Sequence, residues 1–101
     1  MLECGHLKNL VISEHAYKRM FERDITEDNI LDAIKHGELI DEYEYDKPYP
    51  SYLILHYIEK NKPIHLLIAR DEVAYFCTVV SVYVPDTKIW NSDFRTKKPK
   101  K

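Results

Sequence analysis

Two glycines in 101 residues leave no glycine-rich loop that could cradle a phosphate. No apolar run approaches the roughly 20 residues of a membrane-spanning helix, so no membrane association is expected. The opening MLECGHLKNLVIS lacks the long apolar core after a basic segment that marks a secretory leader. A cytoplasmic location is therefore expected. Cysteine is scarce: Cys4 and Cys77 stand far apart and are expected as reduced thiols in a reducing compartment. Cys4 and His6 offer two metal donors, but no second pair follows at a zinc-site spacing, and HExxH is missing. Neither a metal nor a cofactor is expected.

What is present suits one folded domain. The chain is 45% hydrophobic with eight tyrosines, enough for one modest core. Its net charge of −2 is unevenly spread. The last seven residues, RTKKPKK, carry five basic side chains. Residues 1–94 then hold ten basic against seventeen acidic side chains, a net −7. The expected organisation is one domain over 1–94 and a basic, flexible tail over 95–101. An acidic body is poorly suited to non-specific nucleic-acid binding, which rests on counterion release by Lys and Arg. RNA would need a local cationic site or the tail.

The coarse pattern is helix, helix, then strands. Ser13 suits an N-cap and Glu14 the first turn of a helix running to about Arg23. Its apolar stripe reads Ala16, Tyr17, Met20 and Phe21. His15, Lys18, Arg19 and Glu22 lie opposite, with Arg23 at the border. Thr26 caps a second helix bearing Ile30, Leu31 and Ile34, which Gly37 ends after Lys35 and His36. Residues 10–12 read as a short strand or as the approach to the first helix. Strand patterns follow at 42–46, 52–59, 64–69 and 75–84. The expected fold is α+β, two N-terminal helices on one face of a four-stranded antiparallel sheet.

Strand parity then sorts the side chains. Ile64, Leu66 and Ile68 should face the helices, which turns His65 to the open face. In the last strand Phe76, Val80, Val82 and Val84 form the expected packed set, with Cys77, Ser81 and Tyr83 opposite. A one-residue bulge would shift this phase. His65 is either a general acid or base, since imidazole titrates near neutral pH, or a hydrogen-bonded strand histidine. His15 and Arg19 pose the same choice. They form either a phosphodiester site, with Arg19 steadying negative charge in the transition state, or ordinary surface charge. In the second case Arg19 pairs with Glu22 and Arg23 with Glu27, each pair worth at most about 1 kcal/mol.

Four blocks together, ISEHAYKRMFERDIT, ILDAIKHGELID, KPIHLLIA and VVSVYVPDTKIW, resemble the domain-of-unknown-function family 4258 (DUF4258) over roughly residues 11–95. The family pattern falls here on His15, Arg19, Arg23, Gly37, His65, Tyr83, Pro85, Asp86 and Trp90. Asp24 departs from it, standing where Gly is expected. The family is similar in turn to small RelE-like and barnase-like ribonuclease toxins, a fold group also termed BECR. That resemblance implies a metal-independent endoribonuclease, the toxin half of a toxin–antitoxin pair. His15, Arg19, His65 and Tyr83 would be catalytic, and Arg23, Asp86 and Trp90 would bind substrate. RNA, an antitoxin protein and a second copy of the chain are the implied partners. The competing expectation is a non-catalytic protein–protein or RNA interaction module. There Arg19 would pair with Asp86 and Trp90 would act as a structural plug.

Overall fold

The computed structural model describes residues 10–71, 73 and 76–99. Cys4, His6 and the last two lysines of the tail lie outside the described residues. Chain order is β1 (Leu10–Ile12), α1 (Glu14–Arg23), α2 (Glu27–His36), β2 (Glu38–Tyr43), β3 (Ser51–Ile58), β4 (Lys62–Asp71) and β5 (Phe76–Tyr83). The strands form one sheet in the order β1-β5-β4-β3-β2. The α+β class holds, but the sheet has five strands and is mixed, not four and antiparallel. β1 lies parallel to β5 through Leu10–Cys77, Val11–Thr78 and Ile12–Val79. Three residues are too few to show a period of two, so the pairing had no sequence signature. Among the described residues no helix is long and apolar enough to cross a membrane.

Local chemistry fixes both helices. The Ser13 side chain accepts from the Ala16 N–H as N-cap. It also anchors α1 to the sheet: Ser13 N–H donates to the Val79 carbonyl and Ser13 Oγ to that of Val80, each at 3.0 Å. Asp24 ends α1 at φ 60°, the left-handed conformation that Gly adopts at lower cost and that Asp tolerates. Thr26 and Asn29 close a reciprocal capping box on α2. Gly37 ends α2, but at φ −69°, so it does not serve as a left-handed cap. It is needed for space: a Cβ there would run into Ile54 Cγ2 and the Ala33 carbonyl oxygen.

The main core lies between helices and sheet. Ala16 and Met20 of α1, Ile30 and Ala33 of α2, and Ile64, Leu66, Ile68, Val79 and Val82 of the sheet are buried there. Three expectations are corrected by this packing. The α1 stripe is narrower than expected, since Tyr17 is 47% and Phe21 91% exposed; only the row through Ala16 and Met20 meets β5. The second strand covers 38–43, not 42–46. It starts directly after Gly37, and a bulge between Leu39 and Asp41 hides its alternation. In β5, Leu67 pairs with Ser81 but Ile68 pairs with Val79, so Val80 is an extra residue. That bulge swaps the phase. Cys77 and Val79 face the core, while Phe76 and Val80 are only half-buried. Cys77 is also disulfide-bonded, which corrects the reading of it as a reduced thiol.

Candidate functional site

The face of the sheet away from the helices is not open. β4 presents His65 on it, because Ile64 and Leu66 take the core side. Cross-strand register sets Leu55 and Tyr83 on either side of His65, with Glu38 beyond Leu55. Leu53 and Leu55 on this face are 3% exposed and His65 is 0% exposed. Residues 84–98 reach over this face, with Trp90 and Phe94 against His65 and Arg95 on Glu38.

Asp86 starts the covering segment. Its Oδ1 accepts from the Lys88 N–H at 2.8 Å, and its carbonyl accepts from the Ile89 and Trp90 N–H groups. This turn brings the Trp90 ring edge-on to His65, centroids 4.4 Å apart. The chain then doubles back. Asn91 N–H donates to the Thr96 carbonyl and Lys98 N–H to that of Ile89, with Trp90 and Lys97 paired as a bridge. Asp93 shapes the bend by accepting from the Arg95 and Thr96 N–H groups and from Thr96 Oγ1. Phe94 sits at φ 57°, which directs its carbonyl to His65. Arg95 Nε donates to Glu38 Oε2 at 2.7 Å and ties the hairpin to β2. Of the residues expected to begin a flexible tail, Arg95, Thr96 and Lys98 are hydrogen-bonded to the body or within the hairpin, and Lys97 lies over the Trp90 ring.

His65 is fully engaged. Its Nε2 lies 2.8 Å from the Phe94 carbonyl oxygen. A carbonyl only accepts, so Nε2 carries a proton. Nδ1 lies 3.2 Å from Tyr83 Oη and, in the neutral ring, accepts from the phenol. Burial holds the imidazole below its ordinary 6.5, opposed in part by the Phe94 carbonyl. Burial likewise raises the Tyr83 phenol above its ordinary 10.0. The result is a neutral histidine with both ring nitrogens committed.

The other expected residues fall into two groups. Tyr83, Asp86 and Trp90 come together, lining a cavity of about 280 Å³ with Tyr43, Ile89 and Lys97. His65 lies beside Tyr83 as its cross-strand partner. His15, Arg19 and Arg23 are elsewhere. They are exposed on α1, which packs through Ala16 and Met20 on the opposite face of the sheet. Arg19 pairs with Glu22 at 3.1 Å, not with Asp86, and the Arg23 carbonyl accepts from Lys62 Nζ. The structure does not bring His15 and His65 to one cleft. Tyr43 and Lys97 are site residues that the sequence did not single out. Tyr43 was hidden in the acidic run EYEYD and Lys97 in the basic tail.

The family model described as "Domain of unknown function (DUF4258)" matches residues 12–84, and so takes in His65 and Tyr83 while stopping short of Asp86 and Trp90. No curated protein and no solved structure matches the chain.

Proposed function

The chain belongs to the DUF4258 family, and within it we propose a non-catalytic interaction module that binds another protein. The observation that carries this reading is the state of His65, 0% exposed with both ring nitrogens hydrogen-bonded inside the fold. A general base must reach the proton it removes at about 3 Å. Here the Phe94 carbonyl, from the hairpin over residues 89–98, stands in that place. Of the other expected catalytic residues, Tyr83 is spent on the His65 ring at 3.2 Å, and His15 and Arg19 lie across the sheet. His65 instead holds a hairpin whose Trp90 and Lys97 line a cavity together with Tyr43 and Tyr83 of the sheet. Purified protein incubated with RNA in EDTA, with and without ribosomes, is expected to leave it intact. Cleavage that is lost in a folded His65→Ala variant would contradict the reading.

One observation favours the other reading, an antitoxin-controlled, RelE-like endoribonuclease. Tyr83, Asp86 and Trp90 do share a cavity with a cation, Lys97. In such an enzyme Tyr83 would protonate the leaving oxygen, and His65 would orient its phenol. The distinguishing result in the same assay is cleavage abolished by Tyr83→Phe and by Lys97→Ala.

A further inference from the structure

We propose that the cavity over the sheet is a receptor for a cationic side chain carried by a basic, extended segment of a partner protein; this deepens the interaction-module reading and rests on it.

Three of the seven residues that line the cavity are aromatic, Tyr43, Tyr83 and Trp90. The chain already seats a cation on one of them. Lys97 Nζ stands 5.6 Å from the centroid of the Trp90 ring, within the roughly 6 Å at which the ring quadrupole attracts an ammonium or guanidinium. Asp86 adds a carboxylate at the rim. An aromatic wall with a carboxylate beside it favours a Lys or Arg side chain over an anion. Lys97 is itself exposed and is placed by the backbone bridge to Trp90, so its side chain can swing out when a guest arrives.

The surroundings select the same class of partner. β2 is an outer strand of the sheet, and an outer strand offers its backbone N–H and C=O groups to an incoming extended chain. Tyr43, a wall of the cavity, is the last residue of β2. A segment lying along β2 therefore passes the cavity mouth. β2 carries Glu38, Asp41 and Glu42, with Glu44 and Asp46 just beyond. One of these carboxylates, Glu38, already holds a basic residue from another part of the chain, Arg95. Residues 1–98, the hairpin included, hold thirteen basic against seventeen acidic side chains, and this net −4 draws a basic partner from a distance and repels a phosphate backbone.

Trp90 is the sole tryptophan, so its fluorescence reports on the cavity. The test titrates the full chain with a six-residue peptide alternating Lys and Thr, with the same peptide carrying Glu for Lys, and with a short RNA oligomer. The Lys peptide is expected to change Trp90 emission saturably, and less so at high salt. The Glu peptide and the RNA should leave it unchanged. Lys97→Ala removes the internal competitor and should tighten peptide binding about threefold to tenfold, whereas Tyr43→Ala should weaken it by a similar factor. No saturable response to the Lys peptide, or a Lys97→Ala variant that binds it less well, overturns the proposal. If RNA is also left uncut, the interaction-module reading stands without this receptor. A response to RNA alone overturns the proposal in favour of the nuclease reading.

Discussion

His65 and Tyr83 sit directly opposite each other on β4 and β5, and the phenol donates to the imidazole Nδ1 across 3.2 Å. The same ring donates from Nε2 to the Phe94 carbonyl. One side chain thus joins the sheet to the hairpin that covers it. A histidine on the sheet face away from the helices invites a catalytic role, and its two hydrogen bonds support the structural role that we propose for it.

Removing this ring should damage stability. His65→Ala leaves a buried void, an unpaired Phe94 carbonyl and a Tyr83 hydroxyl without its acceptor. Together these cost about 2–4 kcal/mol. Tyr83→Phe keeps the packing and strands only Nδ1, for about 1–2 kcal/mol. Urea denaturation of both variants beside the wild type checks the order. Midpoints equal to wild type would mean that the hairpin is held by other contacts.

Stability should also depend on pH through His65. Burial lowers its folded pKa below the ordinary 6.5. Below 6.5 the unfolded chain therefore takes up a proton that the folded chain resists. The contribution is fully present above 6.5 and is lost as pH falls through that value toward the folded one. His56 is lowered in the same direction by burial, so the slope contains both. Glu38 is held low by its hydrogen bond from Arg95, and Asp93 by the Arg95 N–H. Their losses come lower, as pH falls below their ordinary 4.5 and 3.8. Denaturation between pH 5.5 and 7.5, run in a His56→Gln background, should show a slope that His65→Gln flattens. A slope that His65→Gln leaves unchanged would contradict the assignment.

The sequence was most legible where the chemistry is local. Ser13 and Thr26 cap the helices as their side chains suggest, and the alternation of Ile64, Leu66 and Ile68 places His65 correctly on the other face. It was least legible where pairing is remote or the pattern is saturated. The run YFCTVVSVYV has apolar residues at both parities, so nothing in it marks Val80 as the extra residue. The pairing of Leu10–Ile12 with β5 depends on residues more than sixty positions away. On α1, Tyr17 and Phe21 continue an apolar stripe that the sheet is too narrow a contact to bury. The hairpin at 89–98 depends on Asp93, Thr96 and the left-handed Phe94. A basic composition conceals such a turn. The grouping of Tyr83, Asp86 and Trp90 was signalled by the motif that carries the family resemblance, while Tyr43 and Lys97 joined them only once the chain had folded.

The most direct measurement is the protonation state of His65 itself, by nitrogen-15 NMR of the ring in the intact protein near pH 7.5. A neutral ring with its proton on Nε2, and titration only below the ordinary 6.5, is the result expected of a histidine held between Phe94 and Tyr83. A proton on Nδ1, or titration at or above 6.5, would show a ring open to solvent or to substrate and would contradict the structural role assigned to it.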